Sequence, residues 1–378
     1  MRILVFTSYY LPAKRAGGPI KTLKNIVNKI SPHGISFDIV TSDRDIGDKY
    51  RFHSVSKNSW EAVGKANVFY FSNGLSKLIA LVRDKKYSFL YINSFFSVKF
   101  SIVPQLLARL FNRKVLIAPR GEFSDGALRI RYLKKKSYIA VYKLLLLHKN
   151  VVFHASTVHE RDDIKEIFGD KVDIVIAENI PNVESPKICR VKDSDKLRVA
   201  FLSRISEKKN LLFALDVLSD AATEIEFDIF GPVEDDSYWQ QCQKLIHKLP
   251  NRIKTNYRGM LEPSKVISTL ADYDLFFLPT LGENYGHAIV EALCAGLPVL
   301  ISDKTPWRNL EELGLGWDVA LDNRQKFVEA INKTAAASSA DHLTMRKNIS
   351  TWASKQFARP EIEEANLTMF RSLLERFG

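Results

Sequence analysis

The stretch from Asp274 to Ser302 constrains the fold of this chain more than any other part of the sequence. Asp274-Leu-Phe-Phe-Leu-Pro279 is a continuous apolar run, typical of a strand buried on both faces of a parallel sheet. Residues 285–295 predict a helix that Gly296 closes, and Val299-Leu-Ile301 predicts the next strand. In such a β-α-β unit, the loop before the helix lies at the carboxyl edge of the sheet, where α/β proteins bind ligands.

The polar groups of this stretch lie at and after that loop. Glu283 stands at the helix entrance and Glu291 follows eight residues later, about two helical turns along. The amides of Tyr285, Gly286 and His287 are expected at the helix N-terminus, which favours anions. Two acids flanking an anion site would suit a sugar, its diphosphate and a ribose.

The complete string is more specific than the two glutamates. Glu283 to Glu291 (ENYGHAIVE), followed by Ala295-Gly-Leu-Pro-Val299, resembles the E-x7-E signature of retaining, nucleotide-sugar-dependent glycosyltransferases, specifically glycosyltransferase family 4. The resemblance covers essentially the full length. It implies an α/β chain of the GT-B fold, with two Rossmann-like doubly wound domains facing a cleft.

A basic segment supports the same family. Leu197 to Leu202 predicts the first strand of the second domain, and Arg204 and Lys209 follow it. Alone this pattern indicates a basic turn, but it resembles the family's Arg-x4-Lys pair. The resemblance implies that Arg204 and Lys209 neutralise the donor diphosphate, and that Glu283 and Glu291 hold sugar and ribose hydroxyls; Arg204, Lys209 and Glu283 are thus the predicted catalytic residues. The implied donor site comprises Gly17, Gly18, Arg204, Lys209, Arg258, Met260, Glu283, Asn284, Tyr285, Gly286, His287 and Glu291.

Chain length predicts two domains, because 378 residues exceed one typical core. We predict an N-terminal acceptor-binding domain at 1–183 and a C-terminal nucleotide-sugar-binding domain at 184–356. Residues 357–378 predict a helix that crosses back to the first domain, as in GT-B proteins, and Asn179 to Lys192 is the expected linker. Residues 1–6 predict a strand and not a signal peptide, because polar and proline residues follow too soon.

Charge is concentrated in the first half. Residues 1–185 hold 30 Lys and Arg against 16 Asp and Glu, a net charge of +14, whereas the remainder has a net charge of −2. Residues 129–149 are both basic and amphipathic. They predict either a core helix with a solvated basic face or contact with an anionic membrane, and we favour the membrane. Nucleic acid would attract the same charge, but no nucleic-acid-binding motif accompanies it.

Two loops of the first half are candidate site elements. Gly17-Gly18 before a helix indicates either a tight turn or a close backbone approach to a ligand, and the resemblance implies that it lines the cleft. Arg120 and Glu122 follow a predicted strand, where many relatives place a histidine. Arg120 would bind an acceptor phosphate or form a salt bridge with Glu122, and both remain open.

The sequence gives little indication of metal or redox chemistry. Asp43-Arg-Asp45 superficially resembles an acid-x-acid metal motif, but we interpret it as a solvated loop. Cys189, Cys242 and Cys294 form no paired pattern, which suits a reducing cytoplasm, and His154 is expected to be structural. No cofactor and no metal are expected.

Together these features predict a retaining glycosyltransferase of polysaccharide or O-antigen assembly. The donor is an NDP-sugar, with uracil the favoured base. The acceptor is expected to be an oligosaccharide linked to undecaprenyl pyrophosphate, reached by a peripheral enzyme on the inner face of the cytoplasmic membrane. Two alternatives remain: a transferase with a soluble small-molecule acceptor, and a catalytically silent sugar-nucleotide-binding scaffold.

Overall fold

The computed structural model describes residues 1–181, Lys192 and residues 196–377. Most of the predicted linker, and Cys189, lie outside these residues. The chain divides into two compact units, one of Met1–Ile180 with Pro360–Gly378 and one of Pro181–Arg359. We refer to them as unit 1 and unit 2. The sequence predicted the corresponding boundaries at residues 183/184 and 356/357.

Unit 1 is built on an eight-stranded sheet in the order β3-β4-β2-β1-β5-β6-β7-β8. Every neighbouring pair is parallel except β3 and β4. The strands are β1 (Arg2–Phe6), β2 (Ser36–Ser42), β3 (Trp60–Val63), β4 (Ala66–Phe71), β5 (Leu90–Ile92), β6 (Val115–Ile117), β7 (Val151–Ala155) and β8 (Asp173–Ile176). The helices are α1 (Gly18–Ile30), α2 (Leu75–Arg83), α3 (Val103–Leu110), α4 (Asp125–Arg129), α5 (Tyr132–Leu144) and α6 (Val158–Phe168).

Both faces of this sheet are covered. Ile3 and Val5 of β1 belong to one buried apolar cluster, whereas Leu4 and Phe6 belong to another. Because successive strand residues point to opposite faces, the near-continuous apolar sequence of β1 is what a doubly covered strand requires. The strand order reverses at β1, which pairs with β2 on one side and β5 on the other. Such a reversal opens a crevice at the carboxyl ends of the strands.

Unit 2 has a six-stranded, fully parallel sheet in the order β11-β10-β9-β12-β13-β14. Its reversal point lies between β9 and β12. The strands are β9 (Leu197–Leu202), β10 (Ile225–Phe230), β11 (Ile253–Gly259), β12 (Leu275–Leu278), β13 (Val299–Ser302) and β14 (Gly316–Val319). The helices are α7 (Leu211–Ser219), α8 (Asp236–Ile246), α9 (Val266–Leu270), α10 (His287–Cys294), α11 (Arg324–Ala336) and α12 (Ser339–Phe357).

The β12-α10-β13 unit matches the sequence prediction except at the start of its helix. Gly286 has a φ of 74° and caps α10 from outside, so the helix begins at His287 and not at residue 285. Glu291 therefore lies about one turn into the helix, not two. Gly296 closes the helix with a φ of 67°, as predicted.

The last helix, α13 (Pro360–Phe377), packs in unit 1. Its Phe370 ring lies 5.6 Å from Phe37, 6.4 Å from Phe89 and 5.7 Å from Tyr91, measured between ring centroids. Ile362, Leu367 and Leu373 join the same buried cluster. Across the described residues, no helix has the length and apolar character needed to span a membrane.

We expect Gly231→Ala to destabilise unit 2 strongly. Gly231 has a φ of 132°, and a Cβ there would lie 1.9 Å from the Ser203 carbonyl oxygen, so the strands β9 and β10 would have to separate. The cost should reach about 3 kcal/mol, measured by urea unfolding. Gly259→Ala is the control, because its φ is 70° but its Cβ would meet no described atom within 4 Å. Equal losses in the two variants would contradict this explanation.

Candidate active site

An ion pair lies at the carboxyl ends of β9 and β12. Lys209 ends a short 3-10 turn, Glu207–Lys209, that follows β9, and its ammonium donates a hydrogen bond to the Glu283 carboxylate in the β12–α10 loop. The two side chains are only 10% and 14% exposed. The structure thus brings together two of the predicted catalytic residues from segments 74 positions apart.

Backbone contacts hold the two segments in register. The Leu281 amide donates to the Lys208 carbonyl at 2.8 Å, and Thr280 Oγ1 donates to the same oxygen at 3.1 Å. Asn210, in a left-handed conformation with φ of 58°, donates from its side-chain amide to the Pro279 carbonyl at 3.0 Å. Lys209 and Glu283 therefore meet because the residues on both sides of Lys209 are hydrogen-bonded to the segment just before Glu283.

The local charges keep Glu283 ionised. Burial alone would raise its pKa, but the positive charges of Lys209, Lys208 and Arg204 outweigh burial and lower the pKa below its ordinary value. Arg204 contributes from a distance, because its Nη1 donates to Glu234 Oε1 at 2.7 Å. The site is thus a cluster of cations around one carboxylate, as an anionic ligand would require.

A second loop supports the β12–α10 loop. Ser302 Oγ donates to the Thr280 carbonyl at 2.5 Å, and the Glu283 amide donates to the Lys304 carbonyl at 2.9 Å. The sequence prediction missed Thr280 and Ser302. The available signal was their position at the carboxyl ends of buried strands: Ser302 is the last residue of β13, and Thr280 lies two residues after β12.

The predicted residues at the start of α10 lie along one side of the site. Tyr285 is 7% exposed, and its ring centroid lies 4.9 Å from that of His287, the first residue of the helix. Asn284 and Glu291 are both partly exposed. Glu291 stands four residues after His287, so the two occupy the same helical face.

The Arg258 side chain has acidic partners within the sheet of unit 2. Arg258 Nε donates to the buried Asp228 carboxylate at 3.0 Å, and its guanidinium also lies 4.0 Å from Glu226. Met260 is 41% exposed. The structure therefore gives the Arg258 guanidinium a partner within the sheet, so any role in donor binding falls to the backbone of this segment.

In unit 1, Gly17 precedes α1 with a φ of 64°, and Gly18 is the first residue of the helix. A Cβ on Gly17 would meet no described atom within 4 Å, so space beside it is open. The preceding loop is held by Asp45, whose carboxylate accepts the amides of Lys14 and Arg15 at 2.8 and 3.2 Å.

The interpretation of Asp43-Arg-Asp45 as a solvated loop is wrong. Asp43 and Asp45 are 3% and 8% exposed. Arg44 donates to Asp43 at 3.0 Å, and Asp45 caps the two amides described above. Each carboxylate therefore accepts hydrogen bonds in a buried position, Asp43 from the adjacent residue and Asp45 from a distant loop.

A salt bridge between Arg120 and Glu122, one of the two alternatives for Arg120, is absent from the described contacts. Arg120 donates to the side-chain oxygens of Asn93 and Asn179 at 2.7 and 2.8 Å, and to the Tyr91 hydroxyl. Glu122 instead accepts the amides of Phe95 and Phe96 at 2.5 and 3.1 Å and the hydroxyl of Ser94. These bonds tie the segment after β6 to the segment after β5.

His154 is structural, as predicted. It is fully buried, with one ring nitrogen 2.9 Å from the Ala177 carbonyl and the other 2.9 Å from the Tyr91 hydroxyl. Burial, assisted by the nearby Arg120 charge, lowers its pKa to about 3. The ring is therefore neutral, with Nε2–H donating to Ala177 and Nδ1 accepting from Tyr91.

Comparison with known proteins assigns the domain that holds the Lys209–Glu283 pair. Residues 188–352 match the family model of Glycosyl transferases group 1. This chain is a glycosyltransferase. An uncharacterized 41.2 kDa protein in the cps region of Klebsiella pneumoniae is 22% identical to it over 332 residues, which cover 84% of the chain and 86% of that protein.

Solved structures of the same fold span nearly the whole glycosyltransferase chain. HepE of Anabaena, in complex with UDP and glucose, superposes with a TM-score of 0.71 at 15% identity. Sucrose-phosphate synthase of Thermosynechococcus elongatus superposes with a TM-score of 0.78 at 14% identity. Each comparison covers 99% of both chains. The predicted fold class, two Rossmann-like domains of the GT-B type, is confirmed.

We expect Lys209 and Glu283 to be strongly coupled in stability. Lys209→Met should cost about 3 kcal/mol, because it leaves a carboxylate buried without its main partner. The double variant Lys209→Met/Glu283→Gln should lose less than the sum of the single variants. Urea unfolding of the four proteins measures the coupling, and additive losses would show that the pair contributes nothing.

The same pair predicts a pH dependence. The folded-state pKa of Glu283 is below its ordinary value of 4.5, so its stabilising contribution is complete above that pH and is lost as the pH falls through the folded-state pKa. In Lys209→Met, burial is opposed only by Lys208 and Arg204. The loss of stability on acidification below about pH 4.5 should therefore be smaller in that variant than in the unaltered chain.

Proposed function

We propose that this chain is a retaining glycosyltransferase of family 4, of hexosyltransferase type, that transfers a sugar from a UDP-sugar to a hydroxyl of a lipid-linked oligosaccharide. The buried Lys209–Glu283 pair at the entrance of α10 is the observation that carries the proposal. The cps-region relative favours capsule, O-antigen or exopolysaccharide assembly. The UDP and glucose bound to HepE, which has the same fold, favour a UDP-sugar donor.

The ion pair allows Lys209 to serve two partners. An ammonium has three N–H donors, and the bond to Glu283 uses one of them. Lys209 can therefore bind a phosphate oxygen while Glu283 stays ionised to accept sugar hydroxyls. The Glu283 charge offsets one of the surrounding positive charges until the donor brings its own negative charge.

Cleavage of the donor places negative charge on the diphosphate. The bond between the anomeric carbon and the phosphate oxygen breaks, and a bond to the acceptor oxygen forms on the same face. Lys209, Arg204 and the N-terminus of α10 stabilise the leaving diphosphate. An oxygen of that diphosphate takes the acceptor proton, so the reaction needs no protein base and, in this scheme, no metal or cofactor.

The remaining predicted residues have supporting roles in the proposal. Glu291 holds the ribose hydroxyls, and the amides of Tyr285 to His287 assist at the diphosphate. Gly17 and Gly18 carry no side chain that would keep a ligand away from the backbone of unit 1. We propose that unit 1 binds the acceptor. Because Arg120 is engaged with Asn93, Asn179 and Tyr91, we assign it to shaping that unit and not to direct phosphate binding.

Donor binding is the first test. Thermal-shift and hydrolysis assays with UDP-, GDP- and dTDP-sugars should identify one donor that stabilises the chain and is slowly hydrolysed. Glu283→Ala and Lys209→Ala should abolish both effects, with at least about a hundredfold loss of hydrolysis. Lys265→Ala, on the exposed turn before α9, is the control and should retain both. Failure of all nucleotide sugars to bind would contradict the proposed donor site, whereas binding without hydrolysis would favour the catalytically silent scaffold.

We also propose that the glycosyltransferase reaches its acceptor as a peripheral protein on an anionic membrane surface, at the inner face of the cytoplasmic membrane. Five exposed leucines form what we call the leucine surface: Leu106 and Leu110 of α3, and Leu144, Leu145 and Leu146 at the end of α5. Arg109 joins the two helices, because its Nη1 donates to the Leu145 carbonyl at 2.5 Å.

Basic residues accompany the leucine surface. Lys143, Lys149 and Lys114 are exposed on the adjoining segments. Within α5, Tyr142 is the buried residue, and its ring packs against Phe95 and Phe168 at 4.7 and 5.6 Å between centroids. The helix is therefore anchored on one side while its leucines and lysines face outward, as for a helix at a lipid interface. This arrangement extends the membrane prediction from residues 129–149 to α3.

Vesicle binding tests this surface. Leu144→Gln/Leu145→Gln should weaken binding to phosphatidylglycerol-containing vesicles at least about tenfold, because two leucines leave the interface. Leu313→Gln, which alters an exposed leucine of unit 2, should bind like the unaltered chain. Salt should weaken binding, and donor hydrolysis should be equal in all three proteins. Equal binding to neutral and anionic vesicles would contradict the role of the lysines, and no binding to either would favour a soluble acceptor.

A further inference from the structure

Trp307 contacts the β12–α10 loop at the entrance of the helix. Its indole Nε1–H donates to the Tyr285 carbonyl at 2.7 Å. The indole ring also lies 6.0 Å from the Tyr285 ring and 5.5 Å from the ring of Phe357, the last residue of α12. Trp352 packs edge-on against Phe357 at 5.8 Å. The indole ring therefore packs against the end of α12, and its N–H donates to the β12–α10 loop.

This contact completes a series along the loop. Ser302 and Lys304 bind the backbone at Thr280 and Glu283, and Trp307 binds it at Tyr285. The first two contacts fix the part of the loop that carries the Glu283 carboxylate. The third fixes the peptide immediately before α10.

Because the peptide is planar, the hydrogen bond from Trp307 to the Tyr285 carbonyl also fixes the direction of the Gly286 N–H. The Tyr285–Gly286 peptide is trans, so its C=O and N–H point in opposite directions. Because the carbonyl is directed at Trp307, the Gly286 N–H is directed away from the indole. Little space remains for a side chain at Gly286, because a Cβ there would lie 2.8 Å from Ile289 Cδ1 and 3.5 Å from Trp307 Nε1.

We propose that Trp307 is a positioning residue for the donor diphosphate: its indole N–H holds the Tyr285 carbonyl and thereby aims the Gly286 amide at a phosphate oxygen. The inference rests on the proposed function, which places the diphosphate at the N-terminus of α10. Trp307 itself does not touch the donor. Its removal should weaken phosphate binding and leave contacts to the nucleoside intact.

Trp307→Phe tests this role because it retains an aromatic ring but removes the indole N–H, together with part of the ring, a change in size that the control variant shares. It should raise the Kd for UDP about fivefold to tenfold, the effect of one lost hydrogen bond. Binding of uridine, which has no phosphate, should be unchanged. A merely structural loss would weaken uridine and UDP together.

Trp317→Phe is the matched control. Trp317 lies on β14 and donates its indole N–H to Glu311 Oε1 at 3.2 Å, away from the β12–α10 loop. This variant loses an equivalent bond and should bind both ligands like the unaltered chain. Equal UDP affinity in the Trp307→Phe and Trp317→Phe proteins would overturn the role of Trp307. Absence of UDP binding by the unaltered chain would overturn the proposed UDP donor, and this inference with it.

A second measurement keeps the proposal testable if Trp307→Phe does not fold. In the unaltered chain labelled with ¹⁵N at tryptophan, UDP should slow hydrogen exchange at the Trp307 indole, because a bound phosphate fixes the peptide that accepts its hydrogen bond. Uridine should not slow this exchange. Identical exchange with and without UDP would contradict the proposal.

Discussion

The candidate site depends on one buried ion pair. Lys209 and Glu283 come from different β-α connections, and each lies largely buried with the other as its ion-pair partner. The carbonyl of Lys208 and the side chain of Asn210 tie the Lys209 turn to the β12–α10 loop, so the backbone assembles the pair before any ligand arrives. Catalytic charges held in this way need little reorganisation when charge develops on a substrate.

Charged side chains also join separate backbone segments in unit 1. Its segments after β5, β6 and β8 are joined by the Arg120 guanidinium, and those after β5 and β6 also by the Glu122 carboxylate. A salt bridge between these two residues would have satisfied the charges locally. Instead, each side chain binds its own partners: Arg120 binds side chains that follow β5 and β8, and Glu122 binds backbone amides that follow β5.

Much of this arrangement follows from the sequence where the signal is local. Buried parallel strands are continuous apolar runs, so β4, β9 and β12 could be predicted from Ala66–Phe71, Leu197–Leu202 and the residues around Phe276. The strands β3, β11 and β14 were harder to predict. β3 and β11 are half-exposed edge strands, and β14 is a short strand that begins with glycine. Their identity depends on pairing with distant partners.

The sequence identified site residues only where their spacing or the family resemblance pointed to them, and it did not predict which side chains contact each other. Lys209 and Glu283 were both identified as site residues, but their contact depends on the reversal of strand order between β9 and β12. The burial of Asp45 could not be foreseen, because its donors include backbone amides 30 and 31 residues away. Trp307 was not among the predicted site residues, since a hydrogen bond to a carbonyl 22 positions earlier leaves no mark in composition or periodicity.

The position of α13 has a consequence for biosynthesis. Phe370 contacts Phe37, Phe89 and Tyr91 at the centre of unit 1, yet it is translated after all of unit 2. As the chain leaves the ribosome, the core of unit 1 therefore stays incomplete until α13 has been synthesised. By then, all residues of unit 2 have already been synthesised. Order of synthesis and order of completion are reversed, and the half that begins first is finished last.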